Sequence, residues 1–354
     1  MSDARLDATA LAERVAHGES LEGLDLRGLD LRGAALAGGV LHEVDLRGAK
    51  LSRADLSESV LVGCRLDEAD LSRANLHQAV LEKCGLARAR LLEARLTGAK
   101  LTHCDASAAS FEGADLCIAT FARCTLDEAS LRRATLERTS FLEGSVDAID
   151  LRETTPHAVV MVQADLRRAQ LEGTRFERAV LMAANLAGCS LRGLSFVHTQ
   201  FMDADLRGCD LREATLTQCN FKGAKLAGCR LTDAHAPMSL WIEADLTEAK
   251  LERAQLGQSL LLDAKLRGAD LTGAQLYQCI LHRADLRGAT LVDAELTYAE
   301  LNEADLTEAD LSGATLERAN LHRIVDTDAI IPGRKAALRP DPELRAAEAW
   351  EPEL

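Results

Sequence analysis

Residues 49–78 read AKLSRADLSESVLVGCRLDEADLSRANLHQ, with Leu51, Leu56, Leu61, Leu66, Leu71 and Leu76 five residues apart. Working outward, the same phase holds from Leu21 to Leu321 without a slip. Of its 61 positions 55 are Leu or Phe, the exceptions being Ala106, Val146, Pro156, Met161, Ala236 and Trp241, and all seven Phe of the chain stand on it. A repeat this regular decides the architecture. Five residues advance an α-helix by about 500°, so the leucines would wander around its circumference. In a strand an odd spacing sends alternate leucines to opposite faces. Neither element buries the pattern. The chain must turn about once per pentad, so that each leucine (position i) points at one axis.

Position i−2 is small, as in Ala49, Ala54, Cys64 and Ala69, and shares the interior with the leucine. The other three positions are mainly polar and form an outer wall. Eighteen of the 24 Gly fall at i+2, where a turn needing positive φ wants them. A second period counts the sides. Val40, Val60 and Val80, then Cys64, Cys84, Cys104 and Cys124, then Leu240, Leu260 and Ile280, are all spaced by multiples of 20. Four pentads therefore make one turn, and like residues stack coil above coil. The phase survives the degraded stretches 144–163 and 235–243, so an excursion there replaces a whole coil or stays within its pentads. Sixty-one pentads predict a solenoid of about fifteen coils.

Pentads such as AKLSR ADLSE (49–58), ADLSR ANLHQ (69–78) and ADLTE ADLSG (304–313) carry the motif A(D/N)LXX, and on them the chain resembles the pentapeptide-repeat family. That resemblance implies an all-β fold, a right-handed quadrilateral parallel β-helix. Members of the family do unrelated things, so it implies the fold far more than a function. A narrower likeness joins GESLEGLDLRGLDLRG (18–33), ANLHR (319–323) and the Pro340-Asp341-Pro342…EAWEPEL tail to pentapeptide proteins linked to bacterial type VI secretion, where they would assist loading of spike or effector components.

The ends differ from the array, which divides the chain into 1–18, 19–323 and 324–354. Residues 7–17 read as a short helix, with Asp7 as N-cap, Leu11 and Val15 on one face and Gly18 past the end. Asp341-Pro342-Glu343 opens a second helix through about Trp350, which plugs the open coil or docks on a partner. Between array and helix, 324–340 has lost the repeat and reads as an extended tether. With no signal peptide and no 18-residue apolar run, the expectation is a soluble, cytoplasmic protein. Net charge is −15, which disfavours direct binding to nucleic acid or an anionic membrane. Nine of the ten cysteines occupy the small interior position and only Cys117 does not, so Cys is read as an Ala-sized packing residue. No disulfide, metal or other cofactor is expected.

No Gly-rich phosphate loop, HExxH or GxSxG occurs, and neither an enzyme nor a small-molecule substrate is expected. Asp before the repeat leucine (Asp45, Asp55, Asp70, Asp165, Asp205, Asp285, Asp305) is read as a solvated or turn-bonding wall residue. The four walls are unlike. Those around Leu26 and Leu31 intersperse acids and bases. The wall around Leu41 and Leu61 instead carries Val40, Val60, Val62, Val80, Leu142, Val160, Val162, Val180, Met182, Met202, Leu240, Ile242, Leu260, Leu262 and Ile280. Next to it, a wall poor in charge holds Ile118, Val197, Met238, Tyr277 and Tyr298. Two readings of the aliphatic wall stand open. One is a lengthwise interface with a protein partner or a second copy. The other is β-branched residues favouring strand geometry there, shielded by their neighbours. A second candidate surface is the stretch 290–317, which has no Lys or Arg and includes Glu295, Glu300, Glu303, Asp305, Glu308 and Asp310. Some family members resemble duplex DNA in width and charge and bind type II topoisomerases. A DNA-mimic inhibitor or protector of such an enzyme is therefore the alternative to a rigid protein-interaction scaffold.

Overall fold

The computed structural model describes residues 7–338. Helix α1 (Ala8–Ala16) opens the chain, capped by Asp7, whose carboxylate accepts from the Ala10 N–H at 2.9 Å. Leu11 is fully buried, and Val15 lies against Gly39, where a Cβ would approach its methyl groups to 3.2 Å. The helix expected at Asp341–Trp350 lies outside the described residues. Among the described residues no helix is long and apolar enough to cross a membrane.

The array winds as a four-sided parallel β-solenoid. Four columns of parallel pairs run through each turn, as in Val60 with Val80, Arg65 with Gly85, Asp70 with Arg90 and Asn75 with Arg95. Each pentad bonds along the axis: the Leu46 N–H donates to Arg65 O at 2.7 Å and the Gly48 N–H to Asp67 O at 2.9 Å. A turn closes within the pentad, Ala49 N–H to Leu46 O at 3.0 Å. Position i+2 is left-handed whether it holds Gly48 (φ 63°) or Arg53 (φ 60°). Strain at a residue such as Arg53 is held in place because its own N–H is tied to Ser72 O at 3.0 Å.

Leucines at i and small residues at i−2 form the core, nearly all under 5% exposed. The six exceptions to the leucine rule are buried too. Size is balanced locally: Ala106 is followed one pentad on by Phe111, and Ala236 by Trp241. Aromatic rings twenty residues apart stack, Phe121 on Phe141 at 5.2 Å and Phe221 on Trp241 at 4.1 Å.

The chain divides into two compact units. The first holds the chain through Leu186 together with Leu194–Gln200; the second holds Ala187–Gly193 and the chain from Phe201 on. The number of turns differs from the expected count of about fifteen coils. The solenoid of the first unit runs to about nine turns of twenty residues, from Leu21 to Gln200 without Ala187–Gly193. Extended strands gather on one wall of the first unit: β1 (Leu21–Glu22), β2 (Val40–His42), β3 (Val60–Val62), β4 (Val80–Glu82), β5 (Lys100–Thr102), β6 (Thr120–Ala122), β7 (Ser140–Leu142) and β8 (Val160–Met161) make one eight-stranded sheet, each strand in register with the next. Beyond it β9 (Arg175–Glu177) and β10 (Ser195–Val197) pair on the adjoining wall. In the second unit the columns consist of single bridges.

The degraded stretches make no excursion. Asp150 pairs with Gln170, His157 with Glu177, His235 with Gln255 and Leu240 with Leu260. Nor does the coil end at 323. Val325 pairs with Asp305 and Ile330 with Asp310 before a short 3₁₀ turn (Arg334–Ala336), so the segment read as a tether from 324 continues the winding through Ile330. Backbone pairing needs only the turn at every fifth residue, which Asp328 supplies with φ 56° in the absence of a repeat leucine.

Candidate interaction surfaces

The aliphatic residues sit on the outer face of the eight-stranded sheet. Strand alternation turns Leu41, Leu61 and Leu81 inward and the residues on either side of each outward. Val40, Val60 and Val80 pair in register in one column, and Val160 and Val180 continue it after Lys100, Thr120 and Ser140. Val62, Leu142, Val162 and Met182 lie on the other side of the buried row. Val40 is 45% and Val162 37% exposed, while Val60, Val62, Val80, Val160, Val180 and Met182 are half-buried, because side chains one strand apart cover each other's flanks.

In the second unit Leu240, Leu260 and Ile280 form a column, followed by Glu300. Met202, Ile242 and Leu262 stand at the corresponding outward position after the buried residue. All six are half-buried. The larger exposed apolar groups of this unit lie elsewhere: Met238, Tyr277 and Tyr298 are 40–48% exposed. Tyr277 rests over Gly257, where a Cβ would meet the ring at 2.1 Å, and Arg318 lies 5.6 Å from the centre of the Tyr298 ring.

The acidic stretch does not make one face. Glu295, Glu300, Asp305 and Asp310 fall in four different columns, one on each side of the coil, and Glu303 and Glu308 sit at corners with φ near 60°. Neighbouring coils bring partners that the stretch itself lacks. His282 reaches Glu300 at 2.8 Å, Arg287 lies 3.8 Å from Asp305, and Arg323 lies 4.0 Å from Glu303. Asp305 and Asp310 accept from the backbone N–H of Thr307 and Ser312.

All seven Asp read as turn-bonding residues take the N–H two residues on, as Asp55 does from Ser57 at 3.1 Å and Asp45 from Arg47 at 3.2 Å. In the triplet Asp-Leu-Arg the arginine side chain doubles back as well. Arg27, Arg32, Arg47, Arg152, Arg167, Arg207, Arg212 and Arg287 each grip the Asp two residues earlier with Nε and Nη2. These forks hold Asp25 and Asp30 at about 2, the guanidinium hydrogen bond being the main cause. Sequence reasoning missed this self-neutralisation, although the DLR triplet spells it. It also missed ion pairs twenty residues apart at i+2, such as Arg253 with Asp233 and Arg283 with Asp263, both at 2.7 Å.

The ten cysteines carry free thiols, nine buried and Cys117 half-buried. Among the described residues no group of three or more His, Cys, Asp or Glu is placed to hold a metal. The larger depressions are open channels between side-chain columns. One of about 830 Å³ is lined by ion-paired or turn-bonded groups including Asp30, Arg32, Asp70, Ser72 and Arg73. Another of about 520 Å³ lies over β9 and β10, between Thr155, Arg175 and Ser195 on one side and His157, Glu177 and Val197 on the other.

The family model described as pentapeptide repeats matches residues 20–53, 49–86, 86–116, 107–152, 244–283 and 284–323, and that described as a pentapeptide repeat region matches 159–236. No curated protein matches the chain. Similar solved structures include a trypsin-treated form of QnrB1, a plasmid-mediated fluoroquinolone resistance protein, at 21% identity over 51% of this chain and 92% of that one, TM-score 0.39. HetL, a pentapeptide repeat protein involved in heterocyst differentiation regulation in the cyanobacterium Nostoc, is 24% identical over 81% of this chain and 98% of its own, TM-score 0.26. A pentapeptide repeat protein of the Arabidopsis thaliana thylakoid lumen is 29% identical over 34% of this chain and 70% of its own, TM-score 0.21.

Proposed function

The chain belongs to the pentapeptide-repeat family, and on that premise we propose that it is a non-enzymatic, rigid scaffold that binds a protein partner or a second copy of itself through its aliphatic wall. The observation that carries this reading is the coincidence of two features in the first unit. Its one long regular sheet is also the face whose outward columns hold Val40, Val60, Val62, Val160 and Val162. A flat sheet face with aliphatic side chains suits packing against another apolar face at about 10 Å, and a soluble chain seldom leaves such a face in water. Rigidity follows from axial hydrogen bonds along all four walls. The likeness of residues 18–33 and 319–323 to members linked to type VI secretion makes spike and effector components the partners to try first, in the cytoplasm.

The test is Val60→Asp combined with Leu260→Asp. Both side chains point outward, so the far-ultraviolet circular dichroism should not change, while capture of partners and any oligomer mass should be lost. An unchanged pull-down together with an unchanged mass would refute the scaffold reading. The DNA-mimic alternative finds less support. Its acids encircle a coil, and arginines of the neighbouring coils reach some of them, Arg287 lying 3.8 Å from Asp305 and Arg323 4.0 Å from Glu303. A mimic needs unpaired anionic charge along one path. We expect no inhibition of DNA supercoiling by a purified type II topoisomerase at micromolar protein.

A further inference from the structure

From Thr215 to Gln278 one wall of the second unit carries no Asp, Glu, Lys or Arg at any of its twelve outward positions, in a chain that is 27% charged. The positions before the buried row pair in register, Thr215 with His235, His235 with Gln255 and Gln255 with Gln275, so the wall is one continuous strip. Many of its polar groups are amides. Gln258 Nε2 donates to Gln278 Oε1 at 3.0 Å, and His235 Nδ1 donates to Gln255 Oε1 at 2.7 Å. The first pair leaves Gln258 Oε1 as an open acceptor and Gln278 Nε2 as an open donor, and both side chains are exposed, as is Gln275. An aromatic ring lies among these amides. Tyr277 crosses Gly257 of the preceding coil, where a Cβ would fall 2.1, 2.4 and 2.8 Å from Cε1, Cζ and Cδ1. The backbone of Gly257 is not left-handed, so the ring and not a turn requires glycine there. One face of the ring is thereby laid against the wall and the other is turned to solvent, the residue being 40% exposed.

We propose that this strip binds a neutral, extended polysaccharide, a chain of β-1,4-linked pyranose units lying along the axis of the second unit. The C–H face of a pyranose packs on an aromatic face, whose negative centre attracts the polarised hydrogens. Successive coils stand ~4.8 Å apart, close to the advance of one unit in such a chain, so the amides of one coil meet the hydroxyls of one sugar. Exposed amides on successive coils call for a partner with donors and acceptors at each step. Sugar hydroxyls supply them, and an apolar protein face does not. Nucleic acid also stacks on tyrosine, but this stretch of wall offers no Lys or Arg to meet its phosphates. The strip is a different wall from the aliphatic columns, and the proposal is independent of the scaffold reading. An open wall covers only one side of its ligand, which sets the dissociation constant on the order of 0.1–1 mM.

Saturation-transfer NMR of the full chain with cellohexaose reads binding, and maltohexaose, whose α-linked chain curls away from a straight wall, reads the seating. Cellohexaose should receive saturation at millimolar concentration, and maltohexaose should bind roughly fivefold more weakly or worse. Tyr277→Ala should weaken cellohexaose by roughly tenfold, whereas Tyr277→Phe, which keeps the ring, should change it little. Gly257→Ala keeps the tyrosine but lifts it off the wall, and should weaken binding as Tyr277→Ala does. Val60→Asp, on the aliphatic wall of the first unit, should leave it unchanged. An absence of saturation in both oligosaccharides overturns the proposal, and so does binding that Tyr277→Ala and Gly257→Ala leave intact. Equal binding of maltohexaose overturns the extended chain along the axis. A protein partner captured through Tyr277 while both oligosaccharides stay inert assigns the strip to that protein and overturns the polysaccharide.

Discussion

Asp150 and Arg152 flank the buried Leu151 and close a two-pronged ion pair above it, with Nε 2.9 Å from Oδ1 and Nη2 2.7 Å from Oδ2. Oδ1 also takes the Arg152 N–H at 3.0 Å, so one carboxylate fastens both the turn and the cation. Asp150 is 8% exposed, the least exposed acid of the forks. Asp150→Asn keeps the shape but loses the charge-assisted bonds. We expect it to cost about 1–2 kcal/mol in denaturant unfolding, more than the same change at the exposed Asp25.

Acid should act on all these forks. A carboxylate whose pKa is lowered on folding stabilises the native state above its ordinary pKa and loses that contribution as pH falls through its folded value. For Asp25 and Asp30 this window runs from the ordinary 3.8 down to about 2, and Asp45, Asp150, Asp205 and Asp285 shift in the same direction. Calorimetry should find a melting temperature that changes little from pH 7 to 5 and falls between pH 4 and 2. A profile flat to pH 2 would show that the forks contribute nothing.

Gly144 occupies the position where most pentads have Ala or Cys. A Cβ there would stand 2.2 Å from the Cys124 carbonyl oxygen, inside any tolerable contact. Gly144→Ala, an unremarkable change by the repeat pattern, should therefore force the coil away from the one before it and cost about 2 kcal/mol or more. Ala129→Gly, the reverse change at a regular interior position, should cost less. Chemical denaturation of the two variants side by side decides it.

Trp241 is fully buried, stacked on Phe221 and donating its Nε1–H to Ser239 Oγ at 3.2 Å. Trp241→Ala leaves a large cavity and should cost about 3–5 kcal/mol. Because Ala236 stands one pentad earlier in the same coil, Trp241→Leu with Ala236→Leu should lose less than the two single changes added together. Strict additivity would mean that the two positions do not share volume.

Burial, then a hydrogen bond to Asp115, pushes the Cys117 thiol up to about 11, and burial alone pushes Cys279 up to about 12. Native protein at pH 8 should react with a thiol reagent far more slowly than the unfolded chain, even at half-buried Cys117. A raised thiol pKa adds stability that is complete below the unfolded value near 9 and is lost as pH climbs toward the folded one. Stability should therefore decline between about pH 9 and 11, less so in Cys117→Ser.

The turn of twenty and the inward row were legible because Leu61 and Leu261 obey one period and nothing local competes with it. The side on which Val40, Val60 and Val80 stand followed from the same arithmetic. Charge was harder to read. The run from 290 to 317 lacks Lys and Arg, yet Arg287 and Arg323 reach it from the coils on either side, and only the stacking brings them there. The gathering of extended strands on one wall was not legible either, since Lys100–Thr102 joins the sheet with no aliphatic before its leucine. Its register comes from the strands it lies between. The end of the winding was misplaced for a related reason: leucine marks the interior, but the axial hydrogen bonds that carry Val325 and Ile330 need no leucine.

Because four pentads close one turn, length in this chain is quantised. Removing twenty consecutive residues within the first unit would shorten the stack and leave each later column aligned with its predecessors. Excising a single pentad would keep every leucine inward yet rotate all that follows by a quarter turn, carrying Val160 and Val180 around the corner from Val40 and Val60. Such a protein would fold as well as its parent while its recognition surface was cut in two, so drift in the size of this array is confined to whole coils wherever that surface matters.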